Sequence, residues 1–295
     1  VINFFRAANL CRRENRMMPA PDVPAPRMAA VVYQLCWREL VRFFRQRNRV
    51  IGSIGTPLVM WIIFGLGLDR SFSAGTSSGA APGFLHYYFP GSLVLILMFT
   101  AIFTSISIIE DRREGFLQSV LVSPVSRSSM VLGKVLGGAI IALIQALLFL
   151  SVALFLDVSW SPGRFVALVV LLFAAALMMT SLGFVFAWRM ESTQGFHAIM
   201  NLVLMPMWLM SGSFFPVPAL ANSDVAQTAV HWCMRMNPLT YVVALVRELL
   251  YAQPLGEDYW TAAPSTNTIV VVVGLILFFA TAVWISRTRI SGDMR

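Results

Sequence analysis

Six long apolar runs, separated by stretches that carry nearly all of the charge, constrain this chain more than any other feature. They are Val50–Leu68, Phe89–Ile109, Val135–Leu156, Phe165–Trp188, Phe196–Phe214 and Ile269–Ile285, and none contains Asp, Glu, Lys or Arg. A helix of about 20 mainly apolar residues crosses the bilayer core. A segment in lipid must satisfy its own backbone hydrogen bonds, so each run predicts a helix. The alternating pattern of a membrane β-barrel is absent. The expected fold class is all-α, a polytopic membrane protein with six transmembrane helices. Composition agrees, with 58% hydrophobic and 12% charged residues. Soluble domains carry about 25% charged residues. Disorder would need low hydrophobicity and high charge.

The net charge of +8 raises the question of nucleic acid, but the charges answer it by where they fall. Eighteen of the 22 basic residues lie before the first run, in the second and fourth connections, or after the last run. Only Arg70, Arg164, Arg235 and Arg247 fall on the other side. The positive-inside rule then places the basic side, and with it both termini, in the cytoplasm. The basicity is read as topology in a cytoplasmic (inner) membrane and not as a nucleic-acid footprint.

Residues 1–29 predict a flexible lead that includes Pro19–Pro26, ahead of a membrane domain spanning 30–295. Val1–Phe5 precedes the first arginines, the reverse of a secretory signal. Met17 is an expected native start, or Val1 a GTG codon read literally. Cys11, Cys36 and Cys233 form no CxxC or disulfide framework. His86, His197 and His231 form no metal pattern, so no metal site is expected.

Catalytic signatures are missing. Gly133-Lys134 is followed by Val135, and Ser128 stands where a phosphate-cradling loop needs its first Gly. Among ionisable side chains only His197 lies within a run, which argues against ion-coupled transport. No cofactor is expected on this chain, and its energy must enter from outside.

Three connections carry information. Residues 30–49 place Val32, Leu35, Cys36, Leu40, Phe43 and Phe44 at helical spacing, with Arg38, Arg42, Arg45 and Arg49 on other faces. This predicts a basic amphipathic helix at the membrane interface, or a plain orientation signal. After the second run, Phe116, Leu117, Val120 and Leu121 give a short helix one apolar face, which Pro124 should stop. That face suits either lipid or a groove on a soluble partner. The outward connection of about 54 residues, Phe215–Thr268, is long for a loop. It holds two apolar runs, Ala226–Met236 and Tyr241–Tyr251, each too short to span, broken at Asn237-Pro238. They read as re-entrant or interfacial helices or as a structural cap. Gly133-Lys-Val-Leu-Gly137 is a weak close-packing motif.

Two stretches in this order carry a resemblance: Glu114-Gly115…Leu121-Val-Ser-Pro124…Gly133-Lys134, and Ser211-Gly-Ser-Phe-Phe-Pro216…Asn237-Pro238-Leu-Thr-Tyr241…Arg247. With six spans, the chain from about Val31 onward resembles the membrane subunit of ABC-2 type exporters, a family of drug, nodulation-factor and polysaccharide exporters. The resemblance implies a permease dimer, of two copies or a copy and a paralogue, each bound to a separate cytoplasmic ATPase that holds ATP and Mg. It implies that Arg113, Glu114, Gly115, Phe116, Leu117, Leu121 and Pro124 form an ATPase coupling segment. Arg113 and Glu114 would supply its polar contacts, and Phe116, Leu117 and Leu121 its anchors. A path between the two subunits would be lined by Phe99, Phe103, Met205, Trp208 and Met210. Pro216, Asn237, Pro238, Tyr241 and Arg247 would belong to an extracytoplasmic gate. Met-rich and aromatic spans favour a hydrophobic or amphipathic substrate, drug or lipid-like. A lipid-linked glycan exporter, and a channel or secondary transporter working without an ATPase, remain alternatives.

Overall fold

The computed structural model describes residues 28–74, 83–123, 125–156, 158, 161–218, 224–251 and 260–288. The expected flexible lead lies outside them except for its last two residues, as does Pro124; the side chain of Leu121 is likewise outside the description. Ten α-helices follow in order: α1 (Met28–Arg45), α2 (Arg47–Ala74), α3 (Phe84–Arg113), α4 (Phe116–Val122), α5 (Arg127–Leu150), α6 (Pro162–Arg189), α7 (Thr193–Trp208), α8 (Val225–Met236), α9 (Pro238–Tyr251) and α10 (Pro264–Ser286). The chain is an all-α polytopic membrane protein.

Among the described residues, five segments are long and apolar enough to cross a membrane: Arg47–Asp69, Phe84–Arg113, Arg127–Phe155, Pro162–Arg189 and Pro264–Ser286. The expected fifth run, Phe196–Phe214, is different. Its α-helix ends at Trp208 and a π-turn, Leu209–Ser213, follows, with Gly212 at φ 78°. Pro206 lies just before this break and has no N–H for the helix ladder. Kinks of this kind concentrate at Pro and π-bulges. The run is therefore a 16-residue helix with a bent end, not one straight span.

Helix α3 is the core. Of its most apolar 18-residue window 83% is buried, against 22% in α2 and 17% in α10. At 30 residues it reaches about 45 Å, long enough to carry charged residues at one end out of the bilayer. Helices α2, α5, α6 and α7 all pack on it. Small residues along α3, such as Gly91, Ser92, Ala101 and Ser105, permit the close approach that holds membrane helices together. Rings fill the wider gaps, with Phe89 stacked on Phe149 at 5.1 Å and Trp61 edge-on to both. One polar bridge crosses the bundle. Thr100 donates to Gln145 Oε1, and Gln145 Nε2 donates to Ser53 Oγ at 2.8 Å, joining α3, α5 and α2.

Helix α1 lies across α5. A Cβ at Gly133 would stand 2.7 Å from Leu35 Cβ, and one at Gly137 would stand 2.8 Å from Glu39 Cβ. The GxxxG spacing is thus used to seat α1. Its buried stripe is Leu35, Glu39 and Phe43, one residue per turn, while Tyr33, Trp37 and Phe44 stay exposed. The amphipathic reading holds with one correction. A carboxylate, Glu39, occupies the middle of the buried face, because a lysine on α5 meets it there.

Candidate functional site

The Arg-rich end of the bundle is built from four helices and organised by Asp111. Asp111 ends α3 fully buried and accepts from Arg38 Nη1 at 3.0 Å and Nη2 at 2.7 Å, from Arg42 Nη1, and from Lys134 Nζ. Lys134 Nζ also donates to Glu39 at 2.6 Å. The preceding residue, Glu110, accepts from Arg42 Nη2 at 2.9 Å and from Arg49. Four cations meet four carboxylates once Glu114 is included, 3.3 Å from Arg42. Buried charges persist only when paired and hydrogen-bonded, a condition this cluster meets. The bidentate bonds to Asp111, the larger effect, and the nearby carboxylates raise the Arg38 pKa further, while partial burial opposes them. Burial pushes the Cys36 thiol up, and Glu39 adds to this, so it stays protonated.

Helix α4 hangs from this cluster. Gly115, at φ 76°, turns the chain out of α3, a left-handed conformation that side chains disfavour. Leu117 is then turned inward and only 3% exposed, and Arg38 sits 3.6 Å above the Phe116 ring. The exposed face is Gln118, Ser119 and Val122, the last 86% exposed. Arg113 donates from Nε at 3.2 Å and Nη2 at 2.9 Å to Glu191 O in the α6–α7 turn. Arg112 donates to Trp188 O and Met190 O. Ser126 caps α5, accepting from Ser129 N at 3.1 Å, so that helix starts at Arg127. The geometry gives these residues contacts within the chain. Phe116 and Leu117 anchor α4 to its own chain, and Arg113 fastens the α6–α7 turn.

The opposite end is built on helix breaks. The π-turn exposes backbone carbonyls, and side chains cover them: Tyr87 Oη donates to Gly212 O at 2.9 Å and Arg247 Nη2 to the same oxygen at 3.0 Å. Arg247 also reaches Tyr87 O at 3.3 Å and lies 4.4 Å from the Tyr87 ring. Asn237 Nδ2 donates to Met207 O and Met210 O, and its Oδ1 accepts from Leu239 N at 3.0 Å, capping α9. Pro238 fits the first position of α9, where no N–H is needed. Tyr241 Oη donates to Arg235 O at 2.7 Å. Pro216 is exposed. Burial raises the Tyr251 phenol, while the charge on Arg247 pulls it down.

Of the residues expected on a path, Phe99 and Phe103 stack at 6.5 Å on the half-buried side of α3, with His197 edge-on to Phe103. Met205 and Met210 are half-buried. Trp208 is not available: it is 2% exposed and its Nε1 donates to Gly91 O at 2.9 Å.

Residues 30–251 match the ABC-2 type transporter family. The chain belongs to that family. Among individual relatives, the transport permease ycf38 of Cyanophora paradoxa is 25% identical over 84% of this chain and 87% of its own length. The daunorubicin resistance ABC transporter permease protein DrrB1 of Streptomyces coeruleorubidus is 23% identical over 83% of this chain and 81% of its own. The linearmycin resistance permease protein LnrN of Bacillus subtilis is 27% identical over 52% of this chain and 40% of its own. For this ABC-2 permease, sequence reasoning missed Glu39, Asp111 and Lys134 as one cluster. The signal was present in the i+4 step from Leu35 to Glu39 and the Gly-flanked Lys134.

Proposed function

We propose that this chain is the membrane-spanning subunit of an ATP-driven exporter in the cytoplasmic membrane, with both termini cytoplasmic and ATP hydrolysed on a separate ATPase subunit. The Arg-rich end is then the cytoplasmic end. Helix α4 carries the reading. It is a short lever whose inner face is fixed by Leu117 and Phe116 and whose outer face offers Gln118, Ser119 and Val122 to a partner. Motion of α4 reaches α3 through Gly115 and α1 and α5 through the Asp111 cluster. Closure of an ATPase dimer beneath two copies of this chain would bias inward- and outward-facing states through that cluster.

The cargo in this reading is a hydrophobic or amphipathic drug or lipid-like molecule. Half-buried Phe99, Phe103, Met205 and Met210 supply adaptable apolar surface for it at the subunit edge. The names of DrrB1 and LnrN, as resistance permeases, lean the same way. The test is affinity purification of the tagged chain in mild detergent. An ATPase should co-purify in equal amount, be lost with Val122→Asp, and leave the thermal stability of the permease unchanged. Substrate transport by the chain alone in liposomes without ATP would overturn the proposal.

A further inference from the structure

A small pocket, partly open to solvent, lies at the end of the bundle opposite the charge cluster. Ser211, Gly212, Thr240, Arg247, Trp260 and Asn267 line it. Two of these side chains carry buried polar atoms that nothing satisfies: the Nε–H of Arg247 and the Oδ1 of Asn267. Both residues are more than nine-tenths buried, Arg247 at 9% exposure and Asn267 at 3%. The remaining bonds of Arg247 go to two neutral backbone carbonyls, Tyr87 O and Gly212 O. Among the described residues no carboxylate pairs with it, in contrast to every cation of the Asp111 cluster.

A buried guanidinium without a counter-ion, and with a donor left unmade, is a costly arrangement for a folded protein to keep. A planar N–H fork suits the oxygens of a phosphate, whose charge it would also balance. The free Asn267 oxygen needs a donor, since its own Nδ2 is used on Ala262 O at 3.2 Å. Asn267 lies in the first turn of α10, next to Pro264, where a membrane-crossing helix begins. That is the depth of lipid headgroups.

We propose that this pocket binds a phosphate-bearing anion, held by Arg247 and completed by a ligand hydroxyl or its bound water donating to Asn267. A phosphoglycerol headgroup and a free phosphate share this chemistry. Assigning the pocket to the outer leaflet rests on the orientation proposed above; the anion chemistry does not, and it is measured without ATPase or transport.

The experiment uses the full chain, purified and delipidated in neutral detergent. Native mass spectrometry and thermal shift are recorded with phosphatidylglycerol, with inorganic phosphate, and with diacylglycerol, which lacks the phosphate. Phosphatidylglycerol should bind and stabilise the chain where diacylglycerol does not, and Arg247→Gln should weaken it roughly tenfold or more, as loss of a charge-assisted bond predicts. If Arg247→Gln does not fold, Asn267→Asp is the second variant. It leaves the Arg247 bonds to Tyr87 and Gly212 in place and sets a like charge against the anion, and it too should abolish the difference between the lipids. An equal response to inorganic phosphate would assign the site to a soluble anion. Equal binding of phosphatidylglycerol and diacylglycerol, or binding unchanged in both variants, would overturn the proposal while leaving the exporter reading to its own test.

Discussion

The two polar ends of this bundle solve opposite problems. At the Arg-rich end the polar atoms are side-chain charges brought together from α1, α2, α3 and α5, and they are satisfied by one another. At the far end the polar atoms are backbone carbonyls around the π-turn, and side chains cover them locally. The first end is a lock between helices, so removing one member strands its partners. The second is a set of local caps, each losing only its own bonds. The difference suits transport, where one end must pass motion between helices and the other must yield at individual points.

The strongest way to break this comparison is at Asp111. Asp111→Ala leaves Arg38, Arg42 and Lys134 facing each other in a buried site, with an expected loss of about 3–5 kcal/mol. Thermal unfolding of the detergent-solubilised chain measures it. Pairing the change with Lys134→Met should restore part of the loss, since the two residues act as a unit. Strict additivity would show that the cluster is not one network.

Gly137→Leu comes next. Its side chain would enter the 2.8 Å gap beside Glu39 Cβ and force α1 off α5, at about 1–3 kcal/mol for overpacking. Faster proteolytic cleavage within α1, with the rest of the bundle intact, is the expected readout. Full protection of α1 would mean that the seat can shift without releasing it.

How much of this was legible differs between the ends in the same way. The apolar runs placed α3, α6 and α10 to within about a turn and a half, because lipid imposes a long, charge-free pattern, but α2 runs on past its run and α5 starts more than two turns before its own, where Lys134 interrupts the apolar pattern. Arg38 and Arg42 were visible as charges, yet they read as the basic face of an interfacial helix or as an orientation signal. Their partners Glu110 and Asp111 lie some 70 residues away, and a one-dimensional pattern cannot show that pairing. The packing of Leu117 was hidden for a related reason. An apolar face at i, i+1 and i+4 says that something will cover it, and within this chain Leu117 is covered by the chain's own core. At the far end, Asn237-Pro238 marked a helix boundary correctly, because capping chemistry is local. The break inside the fifth run was hidden by uniform hydropathy around Pro206. The burial of Trp208 was not legible either, because an indole N–H finds its acceptor, Gly91 O, only in three dimensions.

The caps of the far end should each give a moderate effect. Asn237→Ala removes its bonds to Met207 O and Met210 O together with the cap on Leu239 N. A loss of about 1–2 kcal/mol is expected in thermal unfolding. A loss as large as that of Asp111→Ala would erase the contrast between caps and lock.

The smallest stability effect is predicted where the functional one should be large. A Cβ at Gly115 would meet nothing within 4 Å, so Gly115→Ala carries only the strain of a left-handed backbone, about 1–2 kcal/mol. Part of that strain can be relieved by rotating α4, since the turn hangs free of steric contact on its outer side. Rotation would move Gln118, Ser119 and Val122 together while Leu117 resists, because it is the buried member of the helix. Thermal unfolding should therefore change little, and co-purification of the ATPase should fall well below wild type. Gly115→Asn, which tolerates the left-handed region better, should recover most of the partner. If both variants bound the ATPase as wild type does, the orientation of α4 would not be what couples the two ends.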